Sequence, residues 1–294
     1  MSHILKNKNI EIQIDEPLEH YNFSRFDWSG KISKLSYKGI ALTTTELTDT
    51  INQNQFGQAL YNEFGIEGAL GFHEAEQGDW FHKIGIGLLK KDTEDYDFMH
   101  YYEVKPAHFS VTKEIYSMQI TCISDFYLGY GYRLDKNIEL LENRFKITYK
   151  LINTGEKEIR TTEYIHNFLG FKKEPMNSSY ELNFPFQICQ KSFDESVNTE
   201  NKVIVKRNGF GFNDIPGDQF FFSNISGDNS VNASWELLHH KLKISLKESS
   251  SFKTNKINLW GWQHVISPEL FHTIHLKPNE STTWERTYTI GSIR

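Results

Sequence analysis

Hydrophobic and polar positions alternate most clearly between Phe109 and Tyr164. In Glu142–Leu151 the apolar residues Phe145, Ile147, Tyr149 and Leu151 fall at every second position. That is the period of a β-strand with one buried face. Asn153-Thr154-Gly155-Glu156-Lys157 follows as a turn signal, and Ile159–Tyr164 resumes an extended pattern. Upstream, Tyr116–Ile123 alternates in the same way. Further strand-like segments lie at 32–42, 203–205, 219–222, 241–246, 258–262, 273–276 and 283–290, separated by Asn177-Ser178-Ser179, Asn208-Gly209, Pro216-Gly217, Ser226-Gly227-Asp228-Asn229 and Lys277-Pro278-Asn279-Glu280. Many short strands with few helical patterns between them predict an all-β fold, a large antiparallel sandwich or barrel. The one helix expected is a sparse pattern over Thr45–Gln58, a minor component. From Asn52 to Asp97 the chain is rich in glycine and aromatics and poorly periodic, and it reads as long loops of the kind that carry function on a β scaffold.

Composition adds scale to this picture. Of 294 residues, 38% are hydrophobic and 14% aromatic, enough for a sizeable core. No fixed repeat or low-complexity linker divides the chain, so residues 1–294 are expected to form a single domain. The aromatics suit sheets; some Trp and Tyr faces also suit stacking on sugar rings. The net charge of −6 is well mixed, with no Lys/Arg run of the nucleic-acid type, so no nucleic-acid partner is expected. Met1–Ile14 alternates rather than forming an apolar leader, and no apolar stretch is long enough to span a bilayer. A cytoplasmic protein without a membrane partner is the expectation. Cys122 and Cys189 both sit in strand-like contexts and are expected as buried thiols rather than a disulfide.

Generic motifs exclude more than they include. Gly129-Tyr130-Gly131 and Gly209-Phe210-Gly211 lack the third glycine and the helix of a dinucleotide fold. His272 and His275 would face opposite sides of a strand, and the adjacent His239 and His240 diverge, which is poor geometry for one metal. No Gly-x-Ser-x-Gly elbow is present. Three segments remain. Glu67–Gly87 packs His73, Trp80 and Lys83 among carboxylates and glycines; Glu163–Phe171 sets His166 among aromatics; Trp260–Phe271 carries Trp260, Trp262 and, after a proline, Glu269. Taken one at a time, His166 reads equally as a core histidine, Glu269 as a solvated turn residue, and His73 and Lys83 as surface-loop residues.

Taken together, these segments fall in a recognisable order. Arg25-Phe26-Asp27-Trp28-Ser29-Gly30, Lys83-Ile84-Gly85-Ile86-Gly87, Leu151-Ile152-Asn153-Thr154-Gly155, Tyr164-Ile165-His166-Asn167-Phe168, Ser267-Pro268-Glu269-Leu270-Phe271 and Leu276-Lys277-Pro278-Asn279-Glu280 followed by Trp284-Glu285-Arg286 run through most of the chain. This set, over roughly residues 20–290, resembles the galactose mutarotase-like (aldose 1-epimerase) superfamily, and most of all a bacterial branch of mutarotase-related proteins. The resemblance implies a β-supersandwich with an open sugar-binding cleft and a small-molecule sugar as partner. It implies His166 as general acid and Glu269 as general base. It also implies a substrate-binding set of Arg25, His73, Trp80, Lys83, Trp260 and Trp262, with the loops around 67–83 converging on the cleft. The family's Leu-Glu-Thr-Gln, Leu-His-Gly-Gly and Asn-Arg-Ile contexts are absent from this sequence.

The chemistry implied is the interconversion of α and β anomers. One group takes the proton of the anomeric hydroxyl and another protonates the ring oxygen; the ring opens, C1–C2 rotates, and the ring closes on the other face. An ionised Glu269 and a protonated His166 on opposite sides of the anomeric carbon are expected to carry this, each role contributing about 10²–10⁴-fold. No redox step occurs, so no cofactor and no metal are expected. A non-catalytic carbohydrate-binding protein on the same scaffold is the alternative. A hexose-phosphate epimerase would need a cationic cluster, and the seven arginines are scattered.

Overall fold

The computed structural model describes residues 2–48 and 53–293. The longest alternating segments pair into a ten-stranded antiparallel sheet, in the order Val203–Lys206, Gly209–Phe212, Tyr180–Asn183, Val231–His239, Ile244–Thr254, Ser281–Ser292, Arg144–Asn153, Tyr132–Leu140, Ser117–Ile123 and His108–Lys113. Phe145, Ile147, Tyr149 and Leu151 are all buried, so the period-2 pattern marks the core face as expected. A second, seven-stranded sheet contains Lys31–Tyr37, Leu60–Phe64, Ile159–Asn167 and His272–Leu276. A four-stranded sheet runs Glu195–Val197, Phe220–Ser223, Ile257–Trp262, Val265–Leu270. Every strand pairing is antiparallel, and the described residues contain no α-helix. No helix among them is long and apolar enough to cross a membrane.

Three expectations change. The helix predicted over Thr45–Gln58 lies partly outside the described residues. Where it is described, Thr45 bridges Gln58 and a single 3₁₀ turn spans Gln53–Gln55; the sparse apolar positions give a helix no continuous face to bury. The 52–97 region is not all loop. Leu60–Phe64 is buried at all five positions, so it shows no alternation to read, and Trp80–Lys83 and Gly87–Lys90 form a short hairpin. Cys122 is buried as expected, but Cys189 is an exposed thiol before a 3₁₀ turn rather than a strand residue.

Candidate active site

The strand Ile159–Asn167 runs beside Leu60–Phe64, and its even-numbered residues Tyr164 and His166, with Phe168 just past its end, share one face. The His166 ring stacks on Phe168 with centroids 4.0 Å apart and planes 10° apart, and meets the edge of Trp260 at 5.2 Å. Opposite it lies Val265–Leu270, the last strand in its sheet. That edge position is what lets Pro268 sit inside a strand without breaking a ladder bond. Asn167 ties the two strands together: its backbone N–H donates to Ser267 Oγ at 3.0 Å and its Nδ2 to the Pro268 carbonyl at 2.7 Å. The clamp sets His166 Nε2 at 3.3 Å from Glu269 Oε1. Glu269 is therefore a strand residue only 5% exposed, not a solvated turn.

Both groups line a cleft of about 510 Å³, together with Arg25, Glu46, Tyr164, Gln219, Asn258 and the apolar faces of Leu47, Phe56, Phe98, Phe221 and Trp260. Its size falls within the range typical of small-molecule sites. The Arg25 guanidinium lies between the rings of Phe26 at 4.4 Å and Phe98 at 4.8 Å. Its Nε donates to Glu63 at 3.0 Å and its NH1 to Glu46 at 3.2 Å. Tyr164 donates its hydroxyl to Glu63 at 2.6 Å and accepts from Arg25 NH2 at 3.4 Å. Lys83 reaches this cluster from behind, 3.5 Å from Glu63 and 2.6 Å from the Tyr96 hydroxyl. Burial pushes its ammonium down to about 8 against the pull of Glu63.

Burial also sets the charge states of the central pair. It lifts the Glu269 carboxyl to about 8, against the opposing field of Arg25. It depresses His166 well below the usual histidine value, and Arg25 adds to the effect. The His166 Nδ1 atom is sealed from solvent without a partner, so an imidazolium would carry an unsatisfied buried N–H there. Both shifts point the same way, toward a protonated carboxyl beside a neutral imidazole. This reverses the expected pairing of ionised glutamate and protonated histidine, because desolvation penalises both charged forms. The two groups also touch one another rather than standing on opposite sides of a gap.

Arg25, Trp260, His166 and Glu269 thus come together, as the sequence suggested. Lys83 is present only behind Glu63. His73 is exposed in a separate groove with Glu74, Tyr130 and Arg160. Trp80, on the hairpin, is not among the cleft residues. Neither is Trp262, whose Nε1 donates to the Gly217 carbonyl at 2.7 Å. The 67–83 loops therefore do not line the cleft; the side walls come from Glu46, Phe56 and Phe98 instead. Sequence reading missed these, along with Tyr164, Gln219 and Asn258. Tyr164-x-His166-x-Phe168 and Asn258-x-Trp260 carried the available signal, alternate positions on one face of a strand.

Similar solved structures match this architecture over nearly its whole length. A protein from Escherichia coli K12, provisionally described as an aldose 1-epimerase, matches with a TM-score of 0.63 at 10% identity, covering 100% of this chain and 99% of the other. A galactose mutarotase related enzyme from Lactobacillus acidophilus gives 0.59 at 11% identity, covering 99% and 98%. A galactose mutarotase-like protein from Lactobacillus casei ATCC 334 gives 0.58 at 13% identity, covering 99% and 100%. The chain has the galactose mutarotase-like fold. No family model and no curated protein matches the sequence. Identities this low speak to the mutarotase-like fold alone, and function has to be argued from the site.

Proposed function

We propose that this protein binds a sugar in the cleft of Arg25, His166, Trp260 and Glu269 and interconverts its α and β anomers by acid/base ring opening. The observation that carries the reading is the 3.3 Å contact of His166 Nε2 with Glu269 Oε1, between two groups whose environment holds one as an acid and the other as a base. In a hemiacetal the hydroxyl oxygen and the ring oxygen are bonded to the same carbon. An acid and a base that serve them must be neighbours, and these are. The neutral imidazole takes the anomeric hydroxyl proton while the Glu269 carboxyl protonates the ring oxygen. The bond from C1 to the ring oxygen breaks and a C1 carbonyl forms. After rotation about C1–C2, the ring hydroxyl adds to the other face, returning its proton to Glu269, and His166 returns the other to the anomeric oxygen. The pair ends as it began, and no electron acceptor takes part. The half-buried Trp260 ring offers an apolar face for the sugar, and Arg25 a donor.

The direct contact also supports a second reading, a sugar-binding protein without catalysis, because it satisfies the two groups when no ligand is present. Polarimetry or NMR of freshly dissolved α-aldoses, with and without the protein, decides between them. Acceleration of mutarotation is the expected result; titratable sugar binding with no acceleration moves the assignment to the binding protein.

A further inference from the structure

Two amides in the cleft have their orientation fixed by what their oxygens accept. Asn258 Oδ1 accepts the backbone N–H of Asn224 at 3.1 Å. Gln219 Oε1 accepts the indole N–H of Trp260 at 3.3 Å. Both partners can only donate, so the oxygen and nitrogen ends are settled by chemistry. The NH₂ groups are left over; among the described residues neither donates to a protein acceptor, and both side chains line the cleft. Asn258 is the direct cross-strand partner of Glu269, and the Phe220–Ser223 strand beginning beside Gln219 pairs with the Asn258 strand, with Phe221 opposite Trp260. Side chains of such a cross-strand pair start about 5 Å apart. The Asn258 donor therefore starts beside Glu269, and the Gln219 donor, tied to the Trp260 indole, lies at the part of the cleft wall that Trp260 forms.

We propose that Asn258 and Gln219 are specificity-determining residues, which donate their NH₂ groups to exocyclic oxygens of the sugar, Asn258 to the one flanking its hemiacetal, on C2 or on C6. The inference rests on the sugar-cleft reading above and adds which substituent-bearing sugars the cleft prefers. A buried donor held with no other partner, as Asn258 is, discriminates strongly against an analogue that lacks the acceptor, because the amide is then desolvated for nothing.

The test compares D-galactose and D-glucose with their 2-deoxy and 6-deoxy forms, reading kcat/KM for mutarotation and Kd by calorimetry. One of the two deoxy positions should cost roughly tenfold or more, and the other little. Asn258→Asp and Gln219→Glu keep the oxygens that Asn224 and Trp260 need while removing the donors, so they should fold; Gln219→Met removes the donor without adding charge. In each variant the penalty at the sensitive position should shrink toward onefold. Equal treatment of all the deoxy sugars by the wild type would overturn the proposal, as would a penalty that survives in all three variants. Discrimination in Kd without any catalysis would sustain this inference while removing the isomerase reading. An absence of binding by every aldose would remove both.

Discussion

Among the described residues, two clusters each centre on one buried arginine and two glutamates, and they differ in their partners and in whether they border the cleft. Around Arg286, Glu163 accepts from Arg286 Nε at 3.2 Å and NH2 at 2.7 Å, from Asn62 at 2.6 Å and from Trp284 at 3.1 Å. Glu248 accepts from Arg286 NH1 at 2.6 Å and from Trp235 at 2.8 Å. All three charged side chains are fully buried. Around Arg25 the guanidinium bonds run from 3.0 to 3.4 Å, NH1 divides itself between Glu46 and the weak Met99 sulfur acceptor, and the cluster opens into the cleft beside two groups whose titration is strongly shifted. The sealed cluster joins strands of different sheets; the open one borders the cleft with longer bonds to a tyrosine and a thioether, which a ligand could replace at small cost. A buried charge network becomes a functional candidate when it borders a cavity beside groups of shifted titration.

The largest effect that could break this comparison is on stability. Arg286→Met would leave Glu163 and Glu248 buried without a counter-charge, and should cost about 3–5 kcal/mol. Arg25→Met, at a site that water reaches through the cleft, should cost clearly less, about 1–3 kcal/mol. Urea unfolding of both variants measures the difference; equal losses would show that the Arg25 cluster is as structural as the other.

Next comes catalysis. His166→Ala and Glu269→Gln should each lower the mutarotation rate by about 10²-fold or more, while Trp284→Phe, a change within the sealed cluster, should alter the rate little in the protein that folds. The double variant of His166 and Glu269 should lose less than the product of the single losses, since both act on one transition state. Wild-type rates in both single variants would remove these residues from the mechanism.

The third test uses pH. Above about 8 Glu269 loses the proton it must donate, so the rate should fall by about tenfold per pH unit. On the acid side the rate should hold through neutrality and fall only where His166 becomes protonated, well below 6.5. The limbs belong to the pair, because a proton on either member gives the same total charge; nitrogen NMR of His166 shows which one holds it. The same shift has a stability consequence. A carboxyl whose folded pKa lies above its unfolded value loses stability as pH rises between the two. Glu269→Gln should therefore gain stability relative to wild type as pH rises from about 4.5 to about 8.

How far the sequence could anticipate this differs between strands. Arg144–Asn153 was legible because one face meets the core and the other faces water. Leu60–Phe64 was not, because a strand buried on both faces has no alternation. His166 and Glu269 were found through resemblance, yet Pro268 argued for a turn, and only the edge position of that strand explains why it is none. Gln219 and Asn258 looked like ordinary polar positions, since nothing local indicates that their oxygens are engaged and their nitrogens are not. The protonation of the pair depends on desolvation by residues distant in sequence, so it had to wait for the fold.

The smallest effect is expected from a pair of hydroxyls, one in each cluster. Tyr288 donates to Asn167 Oδ1 at 2.9 Å, and Asn167 is the clamp that holds Ser267 and Pro268 against the His166 strand. Tyr288→Phe leaves that buried oxygen without its donor, a loss of about 1–3 kcal/mol. Tyr164→Phe removes a bond to Glu63, but Glu63 keeps Arg25 and Lys83 as donors, so the cost should be only about 0.5–1.5 kcal/mol. Its effect on function should run the other way. Tyr164 lines the cleft and restrains Arg25 NH2, so its loss should raise KM for the sugar several-fold, while Tyr288→Phe leaves KM nearly unchanged at temperatures where the protein is folded. Thermal unfolding and steady-state kinetics on the two variants read both quantities. If Tyr164→Phe proved the more destabilising and left KM alone, the cluster around Arg25 would have to be regarded as scaffold, and the line drawn between the two arginine clusters would disappear.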